Sequence, residues 1–279
     1  MTKAPEQWGV IPKGFFMFKA VISDLDGTLL NASHQLSPLT LSTLRTLNDR
    51  GVRIILASGR HMIDMRGIRE VLGFDCELIT SNGALVADAA DQTLFQRTLA
   101  GELADDLLAH HGRGDFDINV YLKDGWYVQR EQPEELVYHK ESGFSYVVTE
   151  LTQLDRNAIH KVFFKGATET LRQLERTLDP HRERASLVWT REDSFEVMAD
   201  GVNKGAAAKA TLARSGLSLE DAVAFGDGMN DLEMLSMVGR GYVMTNAMPE
   251  LKRRLPFNPR ADHCNDDGVA RCLIELFDL

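Results

Sequence analysis

Between Phe18 and Thr80 the chain alternates apolar runs of strand length with stretches of helical periodicity, and that alternation allows very few folds. Phe18 to Asp24 is nearly continuous in apolar residues, which suits a strand buried on both faces. Ser37-Pro38 opens a helix: Ser caps free N–H groups and Pro fits the first turn. Leu39, Leu41, Leu44 and Leu47 supply its apolar positions, and Gly51 ends it. Val52 to Ser58 is a second strand, His61 to Leu72 a second helix closed by Gly73, and Cys76 to Thr80 a third strand. The order β-α-β-α-β predicts an α/β protein with a Rossmann-like, doubly wound parallel sheet.

From Ala84 to Asp200 the rhythm changes to short alternating strands with few helices. Leu85 to Arg97 contains a turn at Asp88 to Gln92, and Ile118 to Gln129 reads as a hairpin turning at Asp124-Gly125. Ile159 to Phe164, Ala185 to Thr190 and Phe195 to Met198 are further strands, with helices near 101–111, 133–141 and 168–178. The α/β rhythm returns with a helix from Asn203 and a strand from Ala222 to Phe225. The expected organisation is an N-terminal extension over 1–16, a core over 17–83 and 201–279, and an inserted α+β domain over 84–200 with its own core.

Several segments close at one edge of such a sheet, because all strand carboxyl ends of a parallel sheet lie on the same side. They are Asp24-Leu25-Asp26-Gly27-Thr28, Ser58-Gly59-Arg60, Asn203-Lys204-Gly205 and Gly226-Asp227-Gly228-Met229-Asn230-Asp231. The chemistry they suit is phosphoryl transfer. Asp24 is placed to attack phosphorus as a carboxylate, forming an aspartyl-phosphate. A carboxylate and a phosphate repel, so a cation is needed; Asp24, Asp227 and the Asp26 carbonyl offer the oxygen ligands that Mg²⁺ prefers. Ser58 and the Gly59 N–H groups can donate to phosphoryl oxygens, and Lys204 balances charge on Asp24. Asp26 can serve as acid toward the leaving oxygen and base toward water.

Asp-Leu-Asp-Gly-Thr, the Ser of Ala-Ser-Gly-Arg, the Lys of Asn-Lys-Gly and Gly-Asp-Gly-Met-Asn-Asp together resemble the four motifs of the haloacid dehalogenase superfamily. The insertion resembles the C2-type cap of its Cof-like subfamily of sugar and metabolite phosphatases, and the likeness covers essentially the whole chain after Phe16. The resemblance implies Asp24 as nucleophile, Asp26 as acid/base, and Mg²⁺ on Asp24, Asp26 and Asp227. It also implies phosphate contacts from the Leu25 backbone, Ser58, Gly59, Lys204 and Asn230, with Asp231 orienting the metal shell. Within the subfamily, Gly59-Arg60-His61, Ala224-Phe225-Gly226-Asp227 and Asn246-Ala247-Met248-Pro249 look most like the branch acting on hydroxymethylpyrimidine pyrophosphate.

The bland roles are given to other conspicuous residues. His61 reads as structural or at the substrate edge, and Trp126, Tyr127 and Trp189 as packing of the small sheet. A net charge of −10 and a pI near 5.3 argue against a general nucleic-acid surface and leave room for a small phosphorylated metabolite beside a metal ion. No apolar run has the length of a membrane span, and three cysteines without metal spacing suit a reducing cytoplasm. A monomer or weak homo-oligomer is expected. The rival functions are a phosphomutase of the same superfamily and a non-catalytic phosphate sensor or partner-binding relative.

Overall fold

The alternation of the first eighty residues becomes a parallel sheet in the computed structural model, which describes residues 18–110, 114–140 and 142–279. The expected extension over 1–16 lies outside the described residues. In chain order the elements begin with β1 (Ala20–Ser23), α1 (Pro38–Asp49), β2 (Arg53–Ala57), α2 (Met62–Leu72), β3 (Glu77–Thr80), β4 (Leu85–Ala87) and β5 (Thr93–Gln96). The middle of the chain carries α3 (Gly101–Leu108), β6 (Phe116–Tyr121), β7 (Trp126–Val128), β8 (Tyr146–Val148), β9 (Lys161–Gly166), α4 (Thr168–Leu178), β10 (Ala185–Arg191) and β11 (Ser194–Ala199). It ends with α5 (Lys204–Ala213), β12 (Ala222–Gly226), α6 (Leu232–Met237), β13 (Arg240–Met244), α7 (Pro249–Arg254), β14 (Arg260–Ala261) and α8 (Gly268–Phe277).

Among the described residues the strands form an eight-stranded sheet, ordered β14-β13-β12-β1-β2-β3-β4-β5, and a six-stranded one, ordered β10-β11-β9-β6-β7-β8. In the large sheet β14, β13, β12, β1, β2 and β3 run parallel, with β1 between β12 and β2. The helix ends follow their sequence signals. The Ser37 hydroxyl accepts from the Thr40 N–H at 3.0 Å, and Gly73 closes α2 at φ 76°.

One boundary differs from expectation. Residues from Ala84 on were assigned to the insertion, yet β4 pairs antiparallel with β3 and β5 with β4, extending the large sheet. The reason is local: a tight turn at Ser81–Gly83, with Ser81 and Asn82 at positive φ, folds the chain straight back on β3. The inserted α+β domain therefore starts after Gln96. Its sheet is antiparallel apart from the parallel pair β7–β8. Period-two alternation splits its faces: Val162, Phe164 and Val197 pack with α3 and α4, while Lys161, Phe163, Lys165 and Glu196 line a cavity between the two sheets.

Candidate active site

β1, β2 and β12 are neighbours and run parallel, so the loops after them open at one edge. Those loops carry Asp24 and Asp26, Ser58 and Gly59, and Asp227 with Asn230, which together line a cavity of about 340 Å³. Lys204 arrives from another direction, as the first residue of α5. The Asn203 side chain caps that helix by accepting from the Ala206 N–H at 2.7 Å. Gly27 lets the β1 loop approach the β12 loop: at φ 74°, a Cβ there would lie 2.4 Å from Asp227 Oδ2.

Lys204 is fully buried and donates to Asp24 Oδ1 and to Asp231 Oδ1, each at 2.6 Å. The other oxygen of Asp231 accepts the backbone N–H groups of Asp227 and Gly228, both at 2.9 Å. Asp231 is thus held by three residues and in turn fixes the loop that carries Asp227. Asp227 Oδ1 accepts from the Thr28 hydroxyl at 2.9 Å. Asp24, Asp227 and Asp231 bring ligand oxygens within 4.8 Å of one another. Burial pushes the Asp24 carboxyl up, to about 7, against the pull of Lys204. Burial also raises Asp227 well above the carboxylate range, and the charges of Asp24 and Asp231 add to it. Burial would lower Lys204, but the two carboxylates keep it firmly protonated. One ammonium cannot neutralise three crowded carboxylates, and an all-oxygen donor set of this kind fits a hard divalent cation such as Mg²⁺.

Asp26 stands apart from this cluster. Its side chain is 39% exposed at the cavity and takes a two-pronged contact from Arg60, Nε to Oδ2 and Nη2 to Oδ1, each at 2.6 Å. His34 Nδ1 adds a third contact at 3.0 Å. Burial by itself would raise this carboxyl, but the Arg60 guanidinium outweighs it and holds Asp26 well below the usual range. With Arg60 in place Asp26 stays ionised. The remaining arm of Arg60 donates to the fully buried Asp64 at 3.0 Å, which also contacts His139 Nδ1 at 2.9 Å and the Ser142 hydroxyl, both from the inserted domain.

The other predicted residues lie at the same edge. Ser58 is buried, its hydroxyl accepting from the Arg60 N–H at 3.2 Å, and Leu25 is buried with its carbonyl accepting from Leu30 N–H at 2.8 Å. Asn230 donates to Asn82 at 2.9 Å, and Asn82 donates to Glu196 of the insertion at 2.6 Å. The Gly59 carbonyl accepts from Lys161 Nζ at 2.7 Å. His61 is structural: Nδ1 accepts from Ile63 N–H, capping α2, and Nε2 meets the Leu122 carbonyl of the insertion at 2.6 Å. Trp126 is buried and its indole N–H donates to Asn119 at 2.8 Å, but it also lines the cavity, so packing and pocket share it.

Sequence reasoning gave no role to Arg60, His34, Asn82, Lys161 or Glu196, all of which are joined to the site. Arg60 and Asn82 sit where strand ends reach the same edge, which was a usable signal. Lys161 and Glu196 show only as charged residues alternating with apolar ones in β9 and β11.

Comparison with known proteins agrees with this geometry. Residues 21–273 match the model of the haloacid dehalogenase-like hydrolases. A protein of Yersinia pseudotuberculosis serotype O:1b named HMP-PP phosphatase is 38% identical over 258 residues, covering 92% of this chain and 94% of its own. A haloacid dehalogenase-like hydrolase from B. subtilis superposes with a TM-score of 0.82 at 26% identity, over 92% of this chain and 99% of that one. One from Bacteroides thetaiotaomicron shares the fold with a TM-score of 0.80 at 23% identity, over 93% and 100%. No helix among the described residues is long and apolar enough to cross a membrane. The chain belongs to the haloacid dehalogenase-like hydrolase family and stands with its capped phosphatases.

Proposed function

We propose that the chain is a Mg²⁺-dependent phosphatase of small phosphorylated metabolites, with hydroxymethylpyrimidine pyrophosphate as its substrate. The observation that carries this reading is the buried Asp24 carboxylate, 2.6 Å from Lys204 and clustered with Asp227 and Asp231, Asp24 and Asp227 lining the cavity. The HMP-PP phosphatase name of the Yersinia relative supports the substrate. The free cysteines agree with a cytoplasmic location.

Asp24 attacks the terminal phosphorus, and the bond from phosphorus to the leaving oxygen breaks with its electron pair on that oxygen. Lys204 holds Asp24 in place and offsets the charge that gathers on the phosphoryl group. Ser58, the Gly59 and Leu25 backbone and Asn230 surround the phosphoryl oxygens. Water then attacks the aspartyl-phosphate, Asp26 takes its proton, and free phosphate leaves as the Asp24 carboxylate is restored. Asp24, Asp227 and the Asp26 carbonyl, with Asp231 orienting the set, would hold Mg²⁺, which when bound would supply charge neutralisation between carboxylate and phosphate. An Asp26 kept ionised by Arg60 favours a leaving group that needs little protonation, and a leaving phosphate is a far weaker base than a sugar alkoxide.

A phosphate-release screen over sugar phosphates, nucleotides and hydroxymethylpyrimidine pyrophosphate tests the proposal. The expected result is release in Mg²⁺, highest with the diphosphate, and none above background from Asp24→Asn. Normal release by Asp24→Asn would overturn the mechanism. Transfer of phosphate to a second position without its release would favour the mutase rival.

A further inference from the structure

Three cations of the inserted domain line the cavity: Lys161, Lys165 and Arg191. Lys165 and Arg191 each face both Glu135 and Asp193, Lys165 at 3.1 and 2.8 Å and Arg191 at 3.7 and 3.0 Å. Those two are matched by acids of their own domain. Lys161 is different. Its ammonium, on a side chain that is 3% exposed, donates to the Gly59 carbonyl at 2.7 Å and to Glu196 Oε2 at 2.8 Å. Glu196 is shared, since it also accepts from Asn82 at 2.6 Å and from the Thr190 hydroxyl at 3.0 Å. An ammonium has three donors; two are used, and the Lys161 head lies over the faces of Tyr121 and Phe163, 4.7 and 4.8 Å from their centroids. It is therefore a cation of the inserted domain on the cavity wall that touches the loop expected to grip the transferred phosphate.

We propose that Lys161 is a specificity-determining residue for the leaving group, its ammonium taking an anionic oxygen of a leaving group that keeps a phosphate of its own. A diphosphate presents that oxygen on its second phosphorus, which lies one bridging oxygen from the phosphorus under attack. A monoester of a neutral alcohol presents nothing there, and its alcohol leaves the third donor of Lys161 unmatched. The inference rests on the phosphatase reading above and adds to it the residue that selects diphosphates over monoesters.

The test compares wild type, Lys161→Met and Lys161→Arg in Mg²⁺, with hydroxymethylpyrimidine pyrophosphate and p-nitrophenyl phosphate as substrates. Met keeps the methylenes against Tyr121 and Phe163 and removes the charge; Arg keeps the charge. The readout is the ratio of kcat/KM on the diphosphate to that on the monoester. A lost charge-assisted contact lowers this ratio about tenfold or more in Lys161→Met, through KM on the diphosphate, and Lys161→Arg recovers most of it. An unchanged ratio, whether both activities fall together or neither falls, would overturn the proposal and leave Lys161 as a support for Gly59. Phosphate release from neither substrate by the wild type would instead overturn the phosphatase reading, and this inference with it.

Discussion

At the level of single residues, Asp26 has both oxygens on the Arg60 guanidinium, so removing that group changes its proton affinity more than its place at the end of β1. Arg60 keeps the carboxyl below its ordinary range against the upward push of burial. Arg60→Met releases that hold, the carboxyl rises, and the fraction of Asp26 available as a base falls at mildly acidic pH. The acid limb of the kcat profile on hydroxymethylpyrimidine pyrophosphate, which includes hydrolysis of the aspartyl-phosphate, is expected to move to higher pH; a limb that stays in place would show that Arg60 does not set the proton affinity. Asp24, Asp26, Ser58, Lys204, Asp227, Asn230 and Asp231 are legible in the sequence because each sits in a short motif whose strand or helix is also legible. Arg60 is legible in place but not in partner, and His34 in neither: their partner is a carboxylate that any nearby cation could reach, and only the folded loop decides which does.

Single elements depend on a few close approaches. α5 and α6 meet at Gly205, where a Cβ would lie 2.9 Å from the backbone of Glu233 and Met234. Backbone cannot yield as a side-chain tip can, so Gly205→Ala is expected to destabilise the protein by about 1–3 kcal/mol in urea unfolding. It should also lower activity, because α5 starts at Lys204. α2 offers a second prediction through its capping residue. Burial depresses His61 to about 4, and the ring stays neutral while its nitrogens serve Ile63 and Leu122. In the unfolded chain the same imidazole titrates near its ordinary value, so the stabilisation is complete above about 6.5 and is lost as pH falls toward 4. The expected slope in that window is roughly 1.4 kcal/mol per pH unit. His61→Gln should flatten it, measured as unfolding free energy against pH. The large elements are legible because caps, glycines and periodicity agree. The β4–β5 hairpin is assigned to the wrong sheet because an antiparallel pair looks the same locally wherever it docks, and only the turn at Ser81–Gly83 sends it back onto β3.

For the whole molecule, Asp24, Asp227 and Asp231 crowd around one ammonium, and the raised proton affinities of Asp24 and Asp227 show that their full ionisation calls for a further cation. A cation that binds the folded form alone stabilises it by mass action. Millimolar Mg²⁺ is therefore expected to raise the melting temperature, EDTA to lower it and stop turnover, and Asp227→Asn to blunt the thermal response. A melting curve indifferent to Mg²⁺ would count against the cluster as a metal centre. The two sheets meet around the cavity through contacts made by single side chains: Asp64 with His139 and Ser142, His61 with Leu122, Lys161 with Gly59, and Asn82 with Glu196. Among the described residues the chain passes between them twice, after β5 and after β11, and Arg97 donates to the Asp200 carbonyl at 2.7 Å, tying the outgoing strand to the returning one. The two crossings are thus pinned side by side. Because both crossings lie at one place, the whole inserted segment can be replaced without breaking the strand order of the large sheet, but any replacement must again supply partners for Gly59, Asn82 and Asp64.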